Sequence, residues 1–395
     1  MKRHTLLCST LVILLLGGME AEAATHSKKK SGKSKVARAW SAARSKMRAK
    51  RPAYPQRPRT GPLSEFLNAA VPGGPWREPT YADSTAGDQV DGEDLEVRRV
   101  AVEALGQLNG SVVVVDPADG RILTVVNQKL AFGEAFQPCS TVKVPVALAA
   151  LSEGLIDSTT PIRVKGRTRL NMTDAMARSD NHYFAHLGVQ LGYEKMNYYA
   201  RLFGYGERAG LDIPGESQGS FPQAAPKNGG MGMLASFGEE IGQTPLQLAA
   251  LMAAMANGGT LYYLQYPRSQ EEVENFAPRI KRRLDILDVI PEVKEGMFAA
   301  VQNGTARRAW ADDPIAGKTG TCTQSRTHLG WFGSFNDAGG RKLAVVVLLT
   351  GGRPAIGPAA AGIAGEIYRQ LAGQNYYARK STPFTPATLL TPLPR

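Results

Sequence analysis

The stretch Cys139-Ser-Thr-Val-Lys143 is followed along the chain by Ser179-Asp-Asn181 and later by Lys318-Thr-Gly-Thr-Cys322. Ser140 and Lys143 are three positions apart, so on a helix they share one face and can meet. A serine hydroxyl attacks a carbonyl group only when a neighbouring base takes its proton. Lys143 can serve as that base if burial lowers its pKa, which the apolar residues after it favour. The stretch is therefore compatible with an activated serine nucleophile at the start of a helix.

The three stretches carry more information together than separately. A serine three positions before a lysine occurs by chance roughly once or twice in a chain of this length, and Ser27 with Lys30 is one such case. Lys-Thr-Gly is rarer. All three stretches occur in order, on a predicted helix start, a predicted helix over residues 171–187 and a predicted strand. This combination indicates one composite site.

The set resembles that of the penicillin-binding protein transpeptidases, which are related to the serine β-lactamases. The resemblance covers about Leu95 to Leu371. Four further stretches also resemble the family's sequences: Asp116–Leu123, Leu211–Gly219, Gly242–Leu248 and Gly330–Gly333. One departure is that positions 140 and 179 are closer together than the family pattern suggests, which implies a trimmed helical subdomain between them.

The resemblance implies roles for the matching positions. It assigns catalysis to the nucleophile Ser140, the base Lys143 and the proton relay Ser179. It assigns substrate binding to Asn181, Lys318, Thr319, Gly320 and Thr321, with the backbone N–H groups of Ser140 and Thr321 as the oxyanion hole. The implied substrates are D-Ala-D-Ala peptidoglycan stem peptides and β-lactams. No cofactor and no metal is expected.

Two cysteines flank this set. Cys139 precedes the nucleophile and Cys322 follows the Lys-Thr-Gly stretch. These positions are similar to those of the active-site disulfide in class A carbapenemases, so the resemblance implies a disulfide between them. The alternative is two buried thiols that pack as small apolar groups.

Two alternative functions stay open. A serine β-lactamase needs a second carboxylate that activates water, supplied in class A enzymes by a Glu-x-x-Leu-Asn stretch. No such stretch occurs in residues 182–317, and Glu216 lies in a Pro-Gly-Glu setting that resembles the structural glutamate of transpeptidases. Slow deacylation is therefore expected. The second alternative is a non-catalytic receptor for penicillin or muropeptide.

A histidine pair gives a weaker signal. His182 and His186 are one helical turn apart and can share a zinc ion. Without a third ligand nearby, the pattern favours packing of both side chains beside the second stretch.

The chain divides by composition. The expected parts are a signal peptide at 1–23, a basic disordered linker at 24–90, a catalytic domain at 91–373 and a flexible tail at 374–395. Lys2-Arg3, the apolar run from Leu6 to Leu16 and Ala21-Glu-Ala23 are typical of a secretion signal, with an uncleaved anchor as the alternative. Export to the periplasm, or to the outer face of the cytoplasmic membrane, follows, and there a disulfide can persist.

Positive charge is concentrated at the beginning of the sequence. The whole chain carries a formal charge of +12, yet residues 1–61 hold fifteen Lys and Arg against Glu20 and Glu22. The basic segment suits contact with anionic lipid or acidic wall polymers, with a solvated spacer as the alternative. Because the chain is expected to be exported, nucleic acid is not an expected partner.

The expected fold class is α+β: an antiparallel sheet flanked by helices, with a helical subdomain. A helix over 95–108 leads into a hairpin over 111–126, and a helix is predicted over 140–151. Thr244-Pro-Leu-Gln247 is a capping box that starts another helix. Three strands, at 315–323, 328–335 and 342–350, precede a helix over 360–372.

Overall fold

A computed structural model describes residues 76–378 of the protein, except residue 158 and residues 338–339. The predicted signal peptide and basic segment up to residue 75 lie outside the described residues, as does the tail from residue 379. Within the described part of the chain, no helix combines the length and apolar character that crossing a bilayer requires.

The centre of the fold is a five-stranded antiparallel sheet. The strands in the described chain are β1 Gly110–Val115, β2 Ile122–Val126, β3 Ile162–Lys165, β4 Thr168–Leu170, β5 Thr260–Tyr262, β6 Ile280–Arg283, β7 Ile315–Gln324, β8 Thr327–Asn336 and β9 Ala344–Gly351. The order in the main sheet is β2-β1-β9-β8-β7, and β3-β4 and β5-β6 form separate two-stranded sheets. The strand carrying Lys318 therefore lies at an edge of the main sheet.

Helices cover both faces of this sheet. They are α1 Leu95–Leu105, α2 Gln128–Gly133, α3 Lys143–Ser152, α4 Met172–Arg178, α5 Asn181–Leu202, α6 Gly230–Phe237, α7 Pro245–Ala256, α8 Gln270–Glu274, α9 Ile290–Gln302 and α10 Gly357–Gly373. The prediction of an α+β fold with an antiparallel sheet between helices is confirmed.

Alternate residues of the central strand β9 face two different cores. Val346 and Leu348 belong to the core that also contains α3, α5 and α7. Val345 and Val347 belong to the core formed with α1 and α10. Because successive side chains of a strand point to opposite faces, an apolar run such as Ala344–Leu349 is expected where both faces are covered.

Two predicted helices differ from the structure near the site. The helix predicted over 171–187 is two helices, because Ser179 adopts a left-handed conformation at φ 57°, ψ 43°. The side chain of Asp180 then accepts a hydrogen bond from Tyr183 N and starts α5. The helix predicted from Ser140 begins instead as a 3₁₀ turn, Cys139–Val142, before α3. The first of these differences changes the direction of the chain at Ser179.

The ordered chain extends beyond the predicted domain limits of 91 and 373. Asp88, assigned by sequence to the linker, forms an ion pair of 2.7 Å with Arg98 on α1. Tyr376, assigned to the tail, is 2% exposed and its hydroxyl donates to Asp94 at 2.8 Å. The composition of these segments did not indicate this, because the contacts that hold them come from residues distant in the chain.

The predicted capping box at the start of α7 is present. Thr244 Oγ1 accepts from Gln247 N at 3.1 Å, and Gln247 Oε1 accepts from Thr244 N at 2.9 Å. Both residues are buried, so neither backbone N–H has water as an alternative partner.

We expect Thr244→Ala to lower the free energy of unfolding by about 1–2 kcal/mol, since it removes the acceptor for a buried N–H. Guanidinium denaturation of the whole protein measures the change. Thr244→Ser keeps the hydroxyl and serves as the control, with a smaller loss of about 0.5–1 kcal/mol from the buried methyl group alone. Equal losses in the two variants would show that the hydroxyl is not responsible.

Candidate active site

The nucleophile candidate sits on a tightly held turn. Pro138 O accepts hydrogen bonds from Thr141 N at 3.1 Å and from Thr141 Oγ1 at 2.7 Å. Cys139 is buried and has φ 52°, a conformation that non-glycine residues seldom adopt. Ser140 follows in the 3₁₀ turn and remains partly exposed. The turn thus presents the Ser140 hydroxyl just before α3 begins.

Lys143 brings the first two motifs together. Its Nζ lies 3.0 Å from Ser140 Oγ and 3.1 Å from Ser179 Oγ. It also lies 2.8 Å from Ser179 O and 2.6 Å from Asn181 Oδ1. The last two are carbonyl oxygens, which can only accept. A neutral amine that donates its two hydrogens to them keeps one lone pair, which can accept a hydrogen from either serine hydroxyl.

The surroundings of Lys143 favour that neutral form. Its side chain is 0% exposed, and burial lowers its pKa to about 7, because an ammonium group loses its hydration there. The carboxylate of Asp180 acts in the opposite direction and raises the pKa. The two effects together keep the amine near its titration midpoint at neutral pH, as a general base requires.

Ser179 is shared between two amines. Lys318 Nζ donates to Ser179 Oγ at 2.8 Å and to Thr319 O at 2.9 Å. Lys318 is 1% exposed, and burial lowers its pKa well below its usual range. Positive charge on Lys143 lowers the pKa of Lys318 further. The left-handed Ser179 therefore places one hydroxyl between two buried nitrogen atoms.

The edge strand β7 approaches the nucleophile turn closely. A Cβ atom on Gly320 would lie 2.9 Å from Pro138 O and 3.3 Å from the Cβ of Cys139. Any larger residue would push the strand away from the turn. Beyond it, Thr321 is exposed and its Oγ1 accepts from Gly357 N at 2.8 Å, which leaves its own hydrogen for a ligand.

The two cysteines are joined in the structure. Cys139 and Cys322 form a disulfide with their Cα atoms 5.6 Å apart, within the usual range for this bond. The bond connects the residue before Ser140 to strand β7.

The structure thus brings Ser140, Lys143, Ser179, Asn181 and Lys318 into one connected set of contacts. Thr319, Gly320 and Thr321 follow on the strand that carries Lys318. The histidine pair is separate. Tyr183 and Phe184 occupy the buried face of α5, so His182 and His186 are exposed, and the prediction that they pack in the helix interface is wrong.

The carboxylate of the glutamate considered for a β-lactamase role accepts hydrogen bonds from the backbone. Glu216 is 3% exposed, and its Oε1 accepts from Ala209 N at 2.8 Å and from Gly210 N at 2.9 Å. These bonds hold a turn together, as the Pro-Gly-Glu setting predicts. No contact of Glu216 with Ser140 or Lys143 occurs among the hydrogen bonds of the described residues.

Sequence reasoning missed two residues. Asp180 raises the pKa of Lys143 and caps α5. Its position between Ser179 and Asn181 in the second motif could have indicated such a role. Thr305 contacts Thr319 with the two Oγ1 atoms 2.7 Å apart. Nothing in the local sequence around Thr305 indicates this contact, because it joins a loop to a strand.

The chain is similar in sequence to known proteins. Residues 110–372 match the family model described as the penicillin binding protein transpeptidase domain. The chain is 28% identical over 293 residues to stage V sporulation protein D of Bacillus subtilis, covering 64% of this chain and 45% of that protein. It is 28% identical over 290 residues to the peptidoglycan D,D-transpeptidase MrdA of Acinetobacter baumannii, covering 58% and 43% respectively. The chain therefore matches less than half the length of either relative.

A solved structure shows the same fold. The transpeptidase domain of penicillin-binding protein 3 from Burkholderia pseudomallei superposes with a TM-score of 0.63 at 18% identity. The match covers 73% of this chain and 97% of that domain.

On the hypothesis that the neutral amine of Lys143 is the base, we expect the rate constant for acylation of Ser140 by a penicillin to rise with pH, with its midpoint near pH 7. In Asp180→Asn the midpoint moves to lower pH, since the carboxylate that raises the pKa of Lys143 is gone. Asparagine also caps helices, so α5 is retained.

Asp94→Asn is the matched control, because Asp94 caps α1 and makes no contact with Lys143. Stopped-flow acylation across pH 5–9 gives both midpoints. A midpoint in Asp180→Asn that is unchanged or higher than in the wild type would contradict the electrostatic assignment.

Proposed function

The chain belongs to the penicillin-binding protein transpeptidase domain family, and we propose that it is a D,D-transpeptidase or D,D-carboxypeptidase that forms an acyl-enzyme on Ser140. The proposed substrates are D-Ala-D-Ala termini of peptidoglycan stem peptides, with β-lactams as acylating inhibitors. The observation that carries this proposal is the buried Lys143 amine 3.0 Å from the Ser140 hydroxyl. A receptor that holds muropeptide without forming a covalent bond would not need that pair.

The proposed first step exchanges one acyl bond for another. Ser140 Oγ attacks the carbonyl carbon between the two D-alanines, and Lys143 Nζ takes the hydroxyl proton. The C–N bond then breaks, and the leaving amine receives a proton through Ser179, whose hydroxyl lies within hydrogen-bond distance of Lys143. Free D-alanine leaves, and the remaining peptide stays esterified to Ser140.

Binding of the substrate terminus involves the edge strand. The terminal carboxylate is placed against Thr319 and Thr321, and its charge favours the protonated form of Lys318 beside it. The carbonyl oxygen that becomes negative is held by the N–H groups of Ser140 and Thr321, a contribution worth about 3–4 kcal/mol per donor in comparable enzymes. The amide NH₂ of Asn181 holds the peptide side chain.

The second step releases the peptide to an amine, giving a cross-link, or to water, giving a trimmed peptide. Fast hydrolysis of a penicilloyl ester needs a carboxylate that activates water. The carboxylate of Glu216 instead accepts hydrogen bonds from backbone N–H groups. We therefore favour a slowly deacylating penicillin-binding protein over a β-lactamase.

We propose that this activity lies outside the cytoplasm. Residues 1–23 are proposed to direct export, and the basic segment up to residue 61 to contact anionic lipid or wall polymers. In that oxidising compartment the mature protein is proposed to keep the Cys139–Cys322 disulfide, which holds the nucleophile turn against β7. Closing a loop of 183 residues contributes on the order of 5 kcal/mol in the chain-entropy model.

We expect the purified protein to gain the mass of one penicillin on the peptide containing Ser140, and to keep it over hours. Incubation with a fluorescent penicillin followed by gel and peptide mass spectrometry measures both. Ser140→Ala should show no label. Mass spectrometry of the intact, non-reduced protein should also show no free thiols at Cys139 and Cys322.

Two results would contradict these expectations. Rapid turnover of a chromogenic cephalosporin without a lasting adduct would indicate a β-lactamase. Equal labelling of Ser140→Ala would exclude Ser140 as the nucleophile.

A further inference from the structure

Thr305 lies in the loop after α9 and bridges the two sides of the site. Its backbone N donates to Ala177 O at 3.1 Å, two residues before Ser179. Its side-chain Oγ1 lies 2.7 Å from Thr319 Oγ1 on β7. One residue therefore contacts both the helix that ends at Ser179 and the strand that carries Lys318.

The loop cannot move easily relative to that helix. A Cβ atom on Gly304 would lie 2.2 Å from Ala177 O, so the loop approaches the end of α4 as closely as glycine allows. At the middle of α9, a Cβ on Gly296 would lie 2.8 Å from the Cβ of Met176. Close packing along this contact fixes the position of Thr305 with respect to Ser179.

The hydroxyl of Thr319 has one hydrogen to give. Thr319 is 4% exposed, so water does not readily replace a missing partner. Without substrate, Thr319 donates that hydrogen to Thr305. A carboxylate accepts and cannot donate, so Thr319 can bind one only by turning its hydrogen towards it. The buried Thr319 oxygen then needs a hydrogen from another group.

We propose that Thr305 is a positioning residue for carboxylate recognition: its hydroxyl accepts from Thr319 in the empty site and donates to Thr319 when a substrate carboxylate is bound. This inference rests on the proposed function, in which Thr319 receives the terminal carboxylate. No covalent step is involved, since one hydrogen bond reverses its direction.

The test compares acylation of the full-length protein by benzylpenicillin, which has a free carboxylate, and by its methyl ester, which has none. Thr305→Val has nearly the shape of threonine and lacks the hydroxyl. We expect Thr305→Val to lower the acylation rate constant for benzylpenicillin roughly tenfold and for the ester less than twofold. Thr305→Ser keeps the hydroxyl and should stay within about twofold of the wild type for both compounds.

A second comparison uses Thr319→Val as the background. There, Thr305→Val should add less than about a twofold loss for benzylpenicillin, because the two hydroxyls act as one unit. If Thr305→Val does not fold, Thr305→Ala gives the same comparison.

Equal losses with the two penicillins, or additive losses in the double variant, would overturn the role of Thr305 and leave Ser140 acylation intact. Absence of acylation in the wild type would instead reject the proposed function, so the two failures are distinguishable.

Discussion

The burial of one lysine amine is the constraint on which the rest of the site depends. Lys143 opens the apolar helix α3 and is 0% exposed, and burial there lowers its pKa to about 7. Two carbonyl oxygens, Ser179 O and Asn181 Oδ1, take its hydrogens. The left-handed conformation of Ser179 directs that carbonyl towards the amine, so the break between α4 and α5 is part of the site.

A second buried amine lies beside the first one. Lys318 and Lys143 both contact the hydroxyl of Ser179, and charge on Lys143 lowers the pKa of Lys318. Two ammonium groups this close are unfavourable in a site with little water. In the proposed mechanism, these contacts give a proton taken from Ser140 a continuous route from Lys143 to Ser179 and onward to a leaving amine. A bound carboxylate would offset the charge that Lys318 then keeps.

The sequence was informative where function depends on residues close together in the chain. Ser140 with Lys143 and the capping box at Thr244 are local patterns, and the apolar run of β9 identified a strand. The split at Ser179 was missed because the helical pattern continues through it. Thr305 was missed because its contacts join a loop to α4 and β7, and no local pattern contains such a pair.

The most direct measurement is the pKa of the Lys143 amine itself, from NMR of protein with isotope-labelled lysine side chains and assigned with Lys143→Arg. A titration midpoint near pH 7 is predicted, about three units below that of an exposed lysine. A midpoint near the ordinary value, about 10.4, would mean that Lys143 is charged at neutral pH and does not act as the base for Ser140.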